Sequence, residues 1–598
     1  MSPKSIIPIM KKLLIFLLCL SYSALFGQKY DYIWMSGAYI PSDSSSSDFA
    51  IDFITTPPSV YLIEDSLIMG RSNIAISDYE GLLQFYTNGC IIRSKNNATM
   101  EGADFINLGP GNLSWDQTCG SNGLGNYRII QGIFVLPFDN GMSETFHLQF
   151  DPFPEPISCT NVALLNTRIN TIANEDMGEV IFNDSILIQG CFQTACANKH
   201  ANGRDWWVLL PDDLSNRFYR FLSTPDGILG PWIQEMENPI IDSFYYTGWN
   251  EFSSNGEHFL LNDVHSGTAI YDFDRCTGLL SNLRFVPAET DINGFGYAAA
   301  FSPDSRFMYV VRGNFRKMEQ YDLNAADLNA SRTTVATWDG FYDYFYPNGP
   351  LLETSFSFFQ HGPDGKLYTW AGGSRFMHSM DFPNRKGVSC NVRQRAISLP
   401  YYTFGANAYY PHYRLGPIDG SSCDTLGINN LPVALFRYDL EDTLNPQQVT
   451  FTDVSSYEPT SWHWTFGDGQ TSQDTNPVHT YAQGGVYEVC LVVSNAFAAD
   501  TFCRQVQVGA TGVHTLPALP HARVWPNPFS STLSVQLPAM VGVSPEFVVY
   551  DLYGRVAKTA RLTDFDNQIP VQDLPSGLYV WQLRWNGEVT QTGKVVKE

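Results

Sequence analysis

The sequence predicts an all-β chain built of three units: a β-propeller of about seven blades, an immunoglobulin-like sandwich and a small C-terminal β-sandwich. Three observations carry this reading. No long stretch holds the apolar period of a helix, whereas 47 Gly and 35 Pro are scattered through 598 residues and aromatics reach 14%. Such a composition suits many short strands joined by tight turns. A turn dipeptide followed by an apolar strand recurs at Ser254-Asn-Gly-Glu-His-Phe-Leu-Leu261, Pro303-Asp-Ser-Arg-Phe-Met-Tyr-Val310 and Pro363-Asp-Gly-Lys-Leu-Tyr-Thr-Trp370. Finally, Trp462, Trp464 and Phe466 alternate with His463 and Thr465 and run into Gly467-Asp-Gly469, the pattern of a half-buried strand entering a turn.

Residues 1–27 read as a secretory signal peptide. Lys11 and Lys12 form a positive region, Leu13 to Leu20 an apolar one, and Ser21, Ser23, Ala24 and Gly27 supply small residues. The apolar run is too short to span a bilayer, so no transmembrane segment is expected in the mature chain. Eleven cysteines, of which Cys19 falls in this segment, leave ten in a chain whose export permits disulfides. Cys191 and Cys196 either pair or stand apart.

Residues 28–420 are expected to form the propeller. About sixteen residues from the start of each turn-strand unit a second strand begins: Ile270-Tyr-Asp-Phe273, Gln320-Tyr-Asp-Leu323 and Ser379-Met-Asp-Phe382. A weaker copy starts at Ser77-Asp-Tyr-Glu-Gly81. Asn255 to Asp304 is 49 residues and Asp304 to Asp364 is 60. Periods near 40–50 with four strands each are the propeller signature, and this length allows about seven blades of roughly 50 residues. Two stacked sandwiches are the rival. Ile76 to Gly89, Lys199-His-Ala-Asn-Gly-Arg-Asp-Trp-Trp207, Tyr271 to Gly278, Phe301 to Phe307, Cys390-Asn-Val-Arg-Gln394 and Arg414-Leu-Gly-Pro-Ile-Asp-Gly420 also resemble large exported Bacteroidetes proteins with WD-like propellers. The resemblance implies this fold and export, and it carries no assigned activity.

Residues 428–508 form the middle unit. Tyr487, Val489, Leu491 and Val493 share one strand face. Val449 to Ser456, Trp464-Thr-Phe-Gly-Asp-Gly469, His479-Thr-Tyr481 and Gly485-Val-Tyr487 resemble the PKD domain, an extracellular immunoglobulin-like module. Cys490 and Cys503 flank a single hairpin and are the best candidates for a disulfide. It would staple the outer face and close a loop worth about 3 kcal/mol.

Residues 509–523 are small, polar and Pro-containing, as in a linker. Residues 524–598 alternate as short strands separated by Gly turns. Over this whole length they resemble the type A C-terminal sorting domain of type IX secretion. The resemblance implies the type IX machinery as partner, and a protein secreted or held at the outer cell surface by way of the periplasm. The matching sorting-signal positions are Pro526, Asn527, Pro528, Gly554, Arg555, Gly577, Tyr579, Gly593 and Lys594.

Chemistry is sparse. A formal charge of −24 disfavours nucleic acid as a partner. There is no nucleophile elbow, no His-Glu-x-x-His, no zinc spacing of Cys and His, and no phosphate loop, so no catalytic residue and no cofactor is assigned. Asp272 recurs as Asp322 and Asp381, which points to a structural turn. His200, Arg204 and Asp205 could line a propeller mouth and bind a ligand. Alternatively, Asn202-Gly203 forms a hairpin turn with Arg204 paired to Asp205. The run from Asp339 to Tyr346, with Tyr342 and Tyr344, is too aromatic and turn-rich to be wholly buried and reads as an exposed recognition loop. The reading is a non-enzymatic surface protein that binds or adheres, with a surface glycan or protein as ligand. A surface polysaccharide hydrolase or lyase with its site in the propeller funnel is one alternative. A structural part of the cell-surface or gliding apparatus is the other.

Overall fold

A computed structural model describes residues 28–38, 47–55, 57–63, 67–70, 72–108, 119, 131–151, 161–237, 249–263, 266–288, 298–344, 351–370, 374–401, 403, 408–440, 447–509, 523–525, 528–536, 546–551, 555–562, 566–585 and 588–597. The signal-peptide reading falls outside them. Among them, no helix is long and apolar enough to cross a membrane.

Seven antiparallel sheets follow one another between residues 33 and 398. Their innermost strands are Ile33–Ala38, Ile74–Ser77, Ile133–Pro137, Cys196–Lys199, Asn250–Phe252, Ala299–Phe301 and Phe359–His361. In each sheet the chain then steps outward strand by strand. The third to seventh sheets have four strands. The first and second have three among the described residues, against the expected four. The inner strands are short apolar runs buried along their length, such as Ile133–Pro137 and Ala299–Phe301. They need no alternation, because packed neighbours cover both faces. An outermost strand such as Gly227–Glu235 is largely exposed.

Contacts between sheets close a ring. Asn250 donates its backbone N–H to Gln131 Oε1 (3.0 Å) and its side-chain amide to Thr194 O (2.8 Å), joining the third, fourth and fifth blades. Trp34 in the first blade meets Tyr368 in the seventh edge to face, with ring centroids 5.6 Å apart, and Phe53 meets the same ring at 5.7 Å. A hairpin, Tyr342–Tyr344 with Leu351–Glu353, is inserted between the sixth and seventh blades.

The recurrent turn is an Asx turn between a blade's first and second strands. Asn255 Oδ1 accepts from Glu257 N–H, Asp304 Oδ1 from Arg306 N–H and Asp364 Oδ1 from Lys366 N–H, at 3.1, 3.1 and 3.2 Å. Asp78 makes the same bond to Glu80 N–H at 2.9 Å, and Asn202 to Arg204 N–H at 3.1 Å. The recurring aspartates are cross-strand ion-pair partners: Asp272 with Arg284, Asp322 with Arg306 and Asp381 with Arg393.

The middle unit is a sandwich of a three-stranded and a four-stranded sheet. Trp464, Phe466, Tyr481, Val489, Leu491 and Val493 are buried between them, and Trp462 packs partly buried against that core. Cys490 lies directly opposite Cys503, with Cα atoms 4.1 Å apart, and the two form a disulfide. Cys191 is disulfide-bonded, but not to Cys196, whose thiol is free and buried.

The C-terminal unit pairs a three-stranded with a four-stranded sheet. Its first strand, Arg523–Trp525, takes in the last residue of the expected linker. Pro526, Asn527 and Gly554 lie outside the described residues. Gly577 opens the strand Gly577–Trp585, which pairs with the last strand, Glu588–Lys597, carrying Gly593 and Lys594. Gly593 stands opposite Trp581, where a Cβ would come within 2.5 Å of the indole. Tyr579 is buried and donates to Pro575 O at 2.7 Å. Arg555 makes an exposed ion pair with Asp551. Pro528 lies just ahead of the strand Thr532–Gln536.

Candidate functional site

The seventh blade's last strand ends at Ser398, yet the chain does not leave the ring. Residues 408–414 pass through its centre. Tyr410 OH donates to Ile33 O and Ala75 O, at 3.2 and 3.0 Å, on the inner strands of the first and second blades. Tyr413 OH donates to Val135 O of the third blade at 3.0 Å, and Tyr409 OH to Ala197 O of the fourth at 3.2 Å. His412 Nε2 lies 2.9 Å from Phe252 O of the fifth. All three tyrosines are buried. Three phenols and one imidazole thus partner backbone carbonyls on the inner strands of five blades, in a centre lined by apolar residues where an unpaired carbonyl would be costly. Arg414 completes the plug with a bidentate pair to Asp31, both contacts at 2.6 Å. Residues 408–414, within the expected 28–420, are therefore a central strap rather than part of a blade.

Beside the plug, Glu251, His361 and His412 meet. Each offers one ligand atom, and the three atoms lie within 4.8 Å of one another. Glu251 comes from the fifth blade's inner strand, His361 from the seventh's, and His412 from the plug. Glu251 Oε1 accepts from His361 Nε2–H at 2.7 Å and from Phe301 N–H at 3.3 Å. The two imidazoles are edge to face, with centroids 5.1 Å apart. Burial, reinforced by His361, lowers the His412 pKa to about 4 against the pull of Glu251, so the ring is neutral near pH 7. No spacing in the sequence announces this trio, because its members are about 50 and 110 residues apart. The earlier two also sit in turn-flanked strands that read as framework.

The strap leaves the channel over the turn predicted to bind. His200 N–H donates to Asp205 O, and His200 Nε2 faces Cys276 O at 3.2 Å. Arg204 pairs with Asp205 at 2.7 Å, and Asn202 Nδ2–H donates to Asp205 Oδ2 at 2.7 Å. His200, Arg204 and Asp205 thus come together in the fourth blade's copy of the Asx turn. Ile418 N–H donates to Ala201 O at 2.9 Å, and Pro417 packs on Gly203. A Cys276–Cys423 disulfide ties the strap to the fifth blade. The sandwich then sits against the ring: Lys366 in the seventh blade pairs with Asp439 at 3.0 Å, and Arg437 donates to Asp381 O.

The other exposed feature is the inserted hairpin. Phe341, Tyr342 and Leu351 are each at least 43% exposed, a cluster of large apolar side chains on one projection. Trp338 meets Tyr342 edge to face at 5.2 Å and donates its indole N–H to Phe341 O at 3.2 Å. Three ion pairs fix the base: Arg395–Asp339 at 2.6 Å, Arg375–Asp343 at 2.9 Å, and Arg316 with Glu353. Arg395 and Arg316 hold the Asp339 and Glu353 carboxyls below their ordinary range. The Tyr344 side chain lies outside the described residues.

Comparison with known proteins assigns two of the three units. Residues 429–508 match the PKD domain family, and residues 523–598 match the secretion system C-terminal sorting domain. No curated protein matches the chain. Among solved structures, the PKD1 domain of the Vibrio cholerae metalloprotease PrtV is 31% identical, over 13% of this chain and 99% of that one, with a TM-score of 0.13. The PKD1 domain of Vibrio anguillarum Epp is 30% identical, over 14% and 96%, with a TM-score of 0.13. A Lactobacillus plantarum protein is 12% identical, over 62% and 98%, with a TM-score of 0.37. The sorting domain marks the chain for handling by the type IX machinery and for secretion to the cell surface or beyond. Residues 429–508 belong to the PKD domain family, and the chain is an exported multidomain protein in which a propeller region and this domain precede a secretion-system sorting domain.

Proposed function

We propose that this is a cell-surface binding or adhesion protein whose propeller presents the recognition surface, with the PKD domain as a fixed spacer and a signal peptide at residues 1–27 for the first export step. The observation that carries the reading is the inserted hairpin. Phe341, Tyr342 and Leu351 stay exposed on a base clamped by three ion pairs, so little side-chain freedom is lost when a partner covers them. Aromatic rings on a rigid support are the groups that most often dominate recognition. The half-buried turn with His200, Arg204 and Asp205, beside the strap, is a second contact region on this reading, and the ligand is a surface glycan or protein.

The hydrolase or lyase alternative is less well supported, because Tyr409, Tyr410 and Tyr413 occupy the centre of the ring where its site would lie. A test is a glycan and surface-protein binding screen with the purified full chain and its Tyr342→Ala and Phe341→Ala variants. Binding by the parent that weakens at least about tenfold in both variants supports the proposal. Binding unaffected by either substitution would remove the hairpin from it.

A further inference from the structure

The Glu251, His361 and His412 cluster has the donor set of a transition-metal site, and three features of its surroundings suit one. The first is the ligand chemistry. Two imidazoles and one carboxylate form a borderline nitrogen and oxygen set that suits Zn²⁺ and its first-row neighbours, whereas Ca²⁺ and Mg²⁺ favour all-oxygen shells. The second is the state of His412. Its Nε2 faces the backbone carbonyl of Phe252, which can only accept, so Nε2 carries the proton and Nδ1 carries the free lone pair. A metal-bound imidazole typically shows this outer-sphere bond, which fixes ring orientation and tautomer. The third is the anchoring of the carboxylate. Phe301 N–H and Trp249 Nε1–H both point at Glu251, each at 3.3 Å, and hold it from two further positions.

We infer that Glu251, His361 and His412 bind a single zinc-type divalent cation, which clips the central plug to the fifth and seventh blades. The cation takes the place of the proton between His361 Nε2 and Glu251 Oε1, and that proton moves to Nδ1 of the same ring. Zinc holds such donors about 2.0–2.2 Å away, which spaces them roughly 3.3 Å apart in a tetrahedron. The 2.7 Å His361–Glu251 contact opens slightly, and donors up to 4.8 Å apart close by side-chain rotation. Three protein ligands leave a fourth position for water. The inference is independent of the hairpin reading, because the cation acts on the ring itself.

The test uses the full chain, stripped with a chelator, dialysed and titrated with Zn²⁺ against a chromophoric competitor, with Co²⁺ absorption reporting coordination number. The expected result is one equivalent of Zn²⁺ bound, a four-coordinate Co²⁺ spectrum and a propeller melting temperature that rises on loading. His361→Gln keeps an amide donor for Glu251 and so preserves the fold; it should weaken Zn²⁺ at least about 100-fold. His412→Ala should do the same, while His463→Ala, on the exposed face of the PKD domain, should change nothing. The inference is overturned if the parent, with its ring intact by near-UV circular dichroism, takes up no Zn²⁺. It is equally overturned if His361→Gln binds Zn²⁺ as tightly as the parent.

Discussion

The PKD domain and the propeller are both antiparallel β structures, yet their interiors are assembled differently. In the PKD domain the decisive pairs are near neighbours in the chain. The strands Gly485–Ser494 and Ala499–Val508 form one hairpin, Cys490 faces Cys503 across it, and Trp464 stands opposite Leu491 in the same buried core. In the propeller the centre is made by residues far apart. Tyr410 bonds Ile33, Tyr413 bonds Val135, Arg414 pairs with Asp31, and Glu251 meets His361 and His412. A period-two pattern encodes a hairpin, because strand pairing follows sequence order. It does not encode which segment fills the middle of a closed ring.

The comparison predicts that the two regions fail separately, and the largest effect should come from the plug. Tyr413→Ala removes a buried ring and strands the Val135 carbonyl. It should destabilise the propeller by about 3–5 kcal/mol while leaving the PKD transition in place. Scanning calorimetry that shows one common transition lowered by this substitution would join the two regions and break the comparison.

Acid should separate them next. Burial holds His378 down to about 4, against an unfolded value near 6.5. Between those values the unfolded chain binds more protons, so stability rises with pH and is lost as pH falls from about 6.5 to 4. The loss should be up to about 3 kcal/mol and fall on the propeller. The PKD domain should resist over that window. Its Asp468 carboxyl is pushed up by burial but held lower overall by the Gln470 N–H and by His479, so that contribution fades only below the ordinary carboxylate range. Melting at stepped pH values reads both.

Removing the Cys490–Cys503 bridge by a double Cys→Ala change should act in the reverse direction. It should cost the PKD domain about 2–4 kcal/mol and the propeller nothing. Peptide mapping of the exported chain under non-reducing conditions should recover the two cysteines linked. The smallest effect belongs to Tyr342→Ala. Tyr342 is exposed, so stability should move by less than about 0.5 kcal/mol, even where binding is lost.

What could be read beforehand follows the same division. Trp464, Phe466, Val489 and Leu491 announce a core by strict alternation, and all are buried together. The turn dipeptides at Asn255, Asp304 and Asp364 announce blades, because an Asx turn needs one acceptor two residues ahead of a backbone N–H. The same rule places Asn202, and with it His200 and Arg204, in that turn series. The alternative open in the sequence, a turn at Asn202-Gly203 with Arg204 paired to Asp205, is the arrangement found. Residues 408–414, Ala-Tyr-Tyr-Pro-His-Tyr-Arg, carry no period at all. Their roles come from distant partners, such as Asp31, 383 residues before Arg414. The trio of Glu251, His361 and His412 shares that origin, and no local motif could reveal it.

The central claim is that residues 408–414 are an integral plug of the ring. Hydrogen exchange of the full chain, read by mass spectrometry at neutral pH, tests it most directly. The account predicts protection at 408–414 equal to that of the inner strands Ile133–Pro137 and Asn250–Phe252, since local opening of the plug would require the ring to open. Exchange at 408–414 as fast as in exposed turns such as residues 78–82, with those strands still protected, would contradict it.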